Sequence, residues 1–207
     1  YICPYRHIGI NLWHGMPIKK LGLTDKLSYK IRKRFYIVGK YYKTFVTSDI
    51  FKYLMIPCFS ANPENVFITG LPVTDLIMNK TKNLKIENYF NVEKYKKIIF
   101  YLPTFKSNEM SKQNQVEKQY INIFYLDDYK QEEFIEYLKQ NEILFIMKPH
   151  PWDENLYQRL YDTLPKCDNF KIIFDKDCKE NDLNLYEILK YTNLLISDFS
   201  SVTLDYL

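Results

Sequence analysis

The sequence predicts an α/β protein built on parallel sheets. Short apolar runs of four or five residues recur along the 207 residues, each followed by a polar break and then a helical pattern. That is the rhythm of strands joined by crossover helices. A composition of 46% hydrophobic and 26% charged residues fits a globular chain able to bury one substantial core or two small ones, and excludes a disordered one.

The expected strands are Ile8–Leu12, Thr44–Thr47, Val66–Thr69, Ile98–Leu102, Ile143–Met147, Phe170–Phe174 and Leu194–Ile196. Between them Asp49 can cap a helix running to Cys58. Asp127 or Asp128 can cap one whose stripe is Phe134, Ile135 and Leu138, and Asn184 can cap Leu185–Tyr191, because short polar side chains satisfy the free N–H groups of a first turn. All five glycines, Gly9, Gly15, Gly22, Gly39 and Gly70, lie in the first third of the chain, and the composition changes after Gly70-Leu71-Pro72. A domain boundary is expected there. The Asn/Lys-rich segment Met78–Glu93 reads as a linker, and Ser107–Gln119, which has no apolar period, as a surface loop.

A net charge of +4 suits anionic small molecules or a membrane surface rather than nucleic acid. Cys3, Cys58, Cys167 and Cys178 are scattered, without a C-x-x-C pair, and are expected to be reduced thiols of a cytosolic protein. No stretch approaches the ~20 apolar residues of a membrane span. The chain begins at Tyr1 and stops at Leu207 within a helical pattern, and is expected to be part of a longer protein.

In open parallel sheets ligands bind beyond the carboxyl ends of the strands, so the residues following each apolar run are the candidates. They are Trp13-His14-Gly15-Met16-Pro17 with Lys19 and Lys20, Pro103-Thr104-Phe105-Lys106, Lys148-Pro149-His150-Pro151, and Ser197-Asp198-Phe199-Ser200-Ser201. Gly15 removes a side chain where something must approach the backbone closely, and Pro17 fixes the turn. His150 is confined by a proline on each side, which suits a preorganised catalytic group and equally a rigid turn. Ser200 and Ser201 open a helical pattern, where hydroxyls and N–H groups can meet a phosphate or simply cap the helix. Lys106 and Lys148 supply cations. His7 reads as structural. Nucleotide-binding glycine motifs and metal-spaced acidic clusters do not occur in the sequence, so no cofactor and no metal are expected.

Read together, these strand ends resemble those of the CDP-glycerol glycerophosphotransferase family. Leu12-Trp13-His14-Gly15-Met16-Pro17-Ile18-Lys19-Lys20-Leu21-Gly22 is similar to its Trp-His-Gly-Thr-Pro signature with the following Lys-Lys and Gly. Gly70-Leu71-Pro72-Val73-Thr74-Asp75, Tyr101-Leu102-Pro103-Thr104-Phe105-Lys106, Lys148-Pro149-His150-Pro151 and Ser197-Asp198-Phe199-Ser200-Ser201, with Asp205, resemble four further blocks in the same order. Val73 and Lys106 stand where the family usually has arginine. Lysine keeps the charge but loses the planar fork.

The resemblance implies a GT-B architecture, two Rossmann-like parallel-sheet domains facing a cleft. Residues 1–75 would be part of the acceptor-side domain and 76–207 the truncated nucleotide-donor domain. It implies transfer of glycerol phosphate, or a related polyol phosphate, from a CDP-polyol to a hydroxyl of a growing cell-surface polymer, with release of CMP. His14 would be the general base and His150 would stabilise phosphate charge, beside the substrate-binding residues Thr104, Lys106, Lys148, Asp198, Ser200 and Ser201. The acceptor would be lipid-linked, and the enzyme cytoplasmic and peripheral on the inner membrane face, held there by parts outside this chain. The alternatives are a GT-B glycosyltransferase using a nucleotide sugar and an inactive nucleotide-binding or scaffold relative.

Overall fold

The computed structural model describes residues 8–13, 15–18, 20–26, 29–104, 122–124, 126–198 and 200–207. They form two compact units, one comprising residues up to Leu76 together with Ser201–Leu207, the other Ile77–Ser200. The last seven residues therefore fold with the first unit.

In the first unit β1 (Gly9–Asn11), β2 (Tyr42–Val46) and β3 (Val66–Ile68) form a parallel sheet in that order, with Asn11 beside Thr44 and Thr44 beside Val66. Helix α1 (Tyr29–Tyr41) joins β1 to β2, and α2 (Asp49–Phe59) joins β2 to β3. Parallel crossovers are right-handed, so two that advance in one direction put both helices on one face of the sheet. The core agrees: Phe35 and Val38 of α1 and Met55, Cys58 and Phe59 of α2 pack with Val46 and Val66. Gly39 lets the two helices close up, since a Cβ there would fall 2.0 Å from the Phe59 carbonyl oxygen. The cap of α2 is Ser48 rather than Asp49; its Oγ accepts from the Phe51 N–H, leaving Asp49 in the first turn, where a carboxylate still favours the positive end of the helix dipole.

The second unit holds β4 (Lys97–Leu102), β5 (Ile143–Met147), β6 (Phe170–Ile172) and β7 (Leu194–Ser197), all parallel in the order β6-β5-β4-β7. The chain advances from β4 through β5 to β6 and then returns to the other side of β4, so the winding reverses between β4 and β7. Every residue of β5 is buried. Ile143, Phe145 and Met147 pack with Ile135, Leu138 and Tyr157, while alternation turns Leu144 and Ile146 to the opposite layer.

Segment 78–93 differs from the expected linker. It follows α3 (Pro72–Met78) and contains α4 (Leu84–Phe90), whose first turn is capped by Asn83 and whose Ile86 and Phe90 are buried. A cap followed by two apolar residues four apart is enough to form about two packed turns of helix. Helix α5 (Gln131–Gln140) begins after Lys130 without a side-chain cap, so neither Asp127 nor Asp128 serves. After α6 (Glu154–Thr163) and α7 (Asp175–Glu180), Asn184 does cap α8 (Leu185–Leu189), accepting from the Tyr186 N–H. A last helix, α9 (Val202–Tyr206), belongs to the first unit. The expected loop at Ser107–Gln119, together with Cys3 and His7, lies outside the described residues. Cys58, Cys167 and Cys178 are free. Among the described residues no helix is long and apolar enough to cross a membrane.

Two expectations follow from this packing. Gly39→Ala forces a methyl against the Phe59 carbonyl and should cost about 2 kcal/mol in chemical denaturation; a change under about 0.5 kcal/mol would contradict the close approach. Tyr129 packs between Phe124 and Phe134 with its hydroxyl buried and unbonded among the described residues, and burial pushes its pKa up to about 12. Between about pH 10 and 12 the unfolded chain gives up a proton the folded chain keeps, so stability falls across that window. Tyr129→Phe should make thermal melting less pH-dependent there and be neutral or stabilising near pH 7. An unchanged alkaline slope would refute this.

Candidate active site

The reversal between β4 and β7 is where an open α/β sheet leaves a crevice at its carboxyl edge. Register puts Leu102 beside Ser197 and Tyr101 beside Met147, so Thr104, Asp198 and Lys148 emerge together at that edge. Thr104 and Asp198 meet directly. The Thr104 N–H donates to Asp198 Oδ1 at 2.8 Å and its hydroxyl to Oδ2 at 2.7 Å. One residue earlier on each strand, the Ser197 hydroxyl donates to the Leu102 carbonyl at 2.6 Å. Both oxygens of the Asp198 carboxylate are thus engaged in holding two strand ends together.

Lys148 follows β5, and its N–H donates to the Tyr101 carbonyl. Its ammonium lies 2.6 Å from Asp175 Oδ1, with the lysine side chain only 13% exposed. Glu154 in turn accepts from the Asp175 N–H at 2.6 Å. The expected phosphate cation is therefore tied to the end of β6. Asp175 and Glu154 were not foreseen: Asp175 follows an apolar run whose end carries no histidine or hydroxyl, and Glu154 sits inside a helix start where acids are common. Cys178 lies close to this group, and burial pushes its thiol pKa up, with Lys148 pulling the other way. A raised thiol is a poor nucleophile at neutral pH.

His150 caps the short turn Pro151–Asp153, its Nδ1 accepting from the Trp152 N–H at 3.3 Å. The two rings meet edge-on at 5.4 Å. A nitrogen that accepts a backbone N–H carries no proton, so the neutral ring carries its proton on Nε2. Ser200 is half-buried at the end of this unit. Lys106 lies outside the described residues.

In the first unit His14 and Lys19 likewise lie outside the described residues, but the backbone around position 14 is fixed on both sides. Trp13 has a left-handed φ of 53°, its N–H donates to Asn11 Oδ1, and its ring packs on Phe59 at 5.2 Å. Asn11 is itself held by the hydroxyl of the buried Thr44. Gly15 has φ +132°, and a Cβ there would fall 2.3 Å from Ser201 Oγ. The approach that the glycine permits is thus by Ser201, which precedes α9. The block Gly70–Asp75 lines a cavity of about 390 Å³ shared with Ile10 and Leu12 at the end of β1. Gly70 takes φ +80°, and Val73 packs against the core, which explains an apolar residue at that position. A larger cavity, about 580 Å³, lies beside β6. It contains none of the candidate residues, and its Lys171 already donates to the Tyr89 carbonyl.

The second unit is thus a doubly wound α/β unit whose polar groups gather at its switch point. Its strand order and the strand-end motifs lead to one family. Residues 5–207 match CDP-Glycerol:Poly(glycerophosphate) glycerophosphotransferase, and the chain belongs to that family. It is 26% identical over 205 residues to the teichoic acid glycerol-phosphate primase of Bacillus subtilis (strain 168), covering 95% of this chain and 46% of the primase. It is 27% identical over 170 residues to the teichoic acid ribitol-phosphate polymerase TarL of Staphylococcus aureus (strain NCTC 8325 / PS 47), covering 80% of this chain and 27% of TarL. The fold is that of the wall teichoic acid polymerase TagF, with a TM-score of 0.66 at 20% identity over 96% of this chain and 47% of TagF. The chain spans about half the length of the primase and of TagF.

The Lys148–Asp175 pair is partly solvated, with 39% of the Asp175 side chain exposed, so its worth lies more in orientation than in stability. A double-mutant cycle of Lys148→Met and Asp175→Leu should give a coupling of about 1 kcal/mol in urea denaturation. Additive effects would show that the pair does not operate in solution.

Proposed function

We propose that this chain is part of an enzyme that transfers glycerol phosphate from CDP-glycerol to a hydroxyl of a growing cell-surface polymer. The observation that carries the reading is the gathering of Thr104, Asp198 and Lys148 at the switch point of a chain belonging to this family, with His150 two residues beyond Lys148. In the proposed reaction the acceptor hydroxyl oxygen attacks the phosphorus bearing the glycerol, the bond from that phosphorus to the CMP oxygen breaks, and CMP leaves. The hydroxyl proton passes to His14, an imidazole whose ordinary pKa near ~6.5 leaves it largely unprotonated at neutral pH.

His150, with its proton on Nε2, is a hydrogen-bond donor rather than a base. Such a donor suits the charge that builds on phosphate oxygens as the bond breaks. Thr104, Lys106 and Ser200 complete the proposed donor site, and Ser201, which packs at Gly15 in the first unit, is a further proposed substrate-binding hydroxyl. Lys148 and Asp198 act there by holding the strand ends in place, because their charged groups are already bonded to Asp175 and Thr104. The reading includes a GT-B arrangement, with the first unit on the acceptor side and the cavity beside Gly70–Asp75 as an acceptor pocket. It also includes a lipid-linked acceptor and a peripheral position on the inner face of the membrane. CDP-ribitol is the second donor to test, because relatives named ribitol-phosphate polymerases match four-fifths of the chain.

The test is nucleotide release by the complete enzyme from CDP-glycerol, CDP-ribitol and UDP-sugars. CMP release from a CDP-polyol should rise as pH increases through about 6.5, as a base must first lose its proton. His14→Ala and His150→Ala should each lower turnover at least ~100-fold. Wild-type-like turnover by either variant rejects its role, and UDP release in place of CMP rejects the reaction.

A further inference from the structure

We propose that the cavity along the outer edge of β6 is a second nucleotide site, which takes a nucleoside monophosphate and is separate from the candidate active site. Its volume of about 580 Å³ falls within the roughly 300–1,000 Å³ of small-molecule sites. Among the described strands β6 ends its sheet, with β5 between it and β4. The cavity therefore stands to one side of the crevice between β4 and β7, and Thr104, Asp198, Lys148 and His150 take no part in its lining.

Lys171 forms the anion-binding end. Its ammonium lies 5.4 Å from the centre of the Tyr89 ring and 5.7 Å from that of Phe90, and it donates to the Tyr89 carbonyl at 3.0 Å. An ammonium has three N–H donors, so two remain. Among the described residues no carboxylate pairs with it; Asp168, which also lines the cavity, is held by Lys94 at 2.8 Å. Burial pushes the Lys171 pKa down, and a ligand bringing negative charge would offset that desolvation. Lys166 adds an exposed cation at the rim. Tyr161 supplies a neutral donor. Residues 169 and 173 bond to β5, so alternation turns the Ile172 N–H to the open edge, where it meets the Tyr161 hydroxyl. Burial raises the pKa of that hydroxyl, which keeps its proton available to a phosphate oxygen.

The rest of the lining selects the body that the anion carries. Leu164, Pro165 and the two tyrosine rings present apolar surface beside the cations. Inorganic phosphate would use the lysines and leave that surface in water. Glycerol phosphate would set hydroxyl groups against it. A nucleoside monophosphate matches both parts, its phosphate meeting Lys171 and Tyr161 and its base lying on aromatic and aliphatic side chains, as bases do on tyrosine. The choice of cytosine as the base rests on the reaction proposed above, in which CMP is the leaving nucleotide. The site itself is read without turnover, so failure to bind here and failure to release CMP are separate outcomes.

The test is alkylation of the complete protein by iodoacetamide across a CMP titration, read peptide by peptide in a mass spectrometer. Cys167 lines the cavity and is half-buried, so CMP should slow its alkylation severalfold. Cytidine, which lacks the phosphate, should need at least ~10-fold higher concentration for the same protection. Lys171→Met keeps the aliphatic stem between the rings and should raise the half-protecting CMP concentration at least ~10-fold, and Tyr161→Phe, the milder change, about fivefold. Circular dichroism melts check the folding of both variants. Cys178, near Lys148, reports on the candidate active site, so protection of Cys178 alone overturns the proposal. Unchanged Cys167 alkylation under CMP overturns it as well, as does wild-type protection in a folded Lys171→Met or Tyr161→Phe protein. Inorganic phosphate protecting at the same concentration as CMP would mark a bare anion site, and glycerol 3-phosphate doing so a polyol-phosphate site; either result overturns the assignment to a nucleotide.

Discussion

The two hydrogen bonds from Thr104 to the Asp198 carboxylate are the constraint around which the second unit is organised. Parallel strands that wind outward and then reverse leave their central pair without a connecting helix on one side at the carboxyl edge. Loops leaving β4 and β7 would otherwise be free to splay. Asp198 prevents this by accepting both the backbone N–H and the hydroxyl of Thr104, with Ser197 adding a third bond to the Leu102 carbonyl. A charged acceptor taking two donors is stronger than two neutral contacts. Lys148 and Asp175 do the same for the ends of β5 and β6, and the Lys148 N–H donates to the Tyr101 carbonyl of β4, so each of the three gaps between neighbouring strand ends, β7 to β4, β4 to β5 and β5 to β6, is bridged by a polar bond.

Lys148 and Asp198 each join neighbouring strand ends, the lysine ammonium through Asp175 and the Asp198 carboxylate through Thr104. His150 differs because its Nδ1 accepts from the Trp152 N–H, which leaves the proton of the neutral ring on the other nitrogen. The prolines on either side hold the backbone, and the Trp152 N–H holds the ring. Ring orientation and the tautomer of the neutral ring are set together by one short turn.

The strands were legible because alternation and burial act over three to six residues: β5 runs over Ile143–Met147 as the apolar run does, and most other strands are shifted or shortened by one or two residues. Helices were harder. The polar look of 78–93 hid α4, because only Ile86 and Phe90 of its seven residues are buried, and Ser48 rather than Asp49 caps α2 because the choice between adjacent polar residues depends on backbone angles that sequence does not display. The candidate site was legible where a motif carries its own chemistry, as at Thr104, His150 and Asp198. It was not legible at Asp175, Glu154, Asn11 or Thr44, whose parts depend on strands brought side by side from 21 to 33 residues away.

The loop at position 14 shows the same economy in backbone terms. Trp13 is held in a left-handed conformation that a bulky residue adopts only when its surroundings insist. Here they do: the indole is wedged against Phe35 and Phe59, and the Trp13 backbone N–H donates to Asn11 Oδ1. Gly15, at φ +132°, takes a conformation closed to side chains and leaves the volume of its missing Cβ to the Ser201 hydroxyl. One residue later Met16 is again buried in the core. Trp13 and Gly15 are thus both anchored, one by a packed ring and the other by the absence of a side chain. Under the proposed role of His14 as base, such fixation of its neighbours would lower the entropy lost on the way to reaction, and the close approach of Ser201 gives a physical reason for the glycine at position 15.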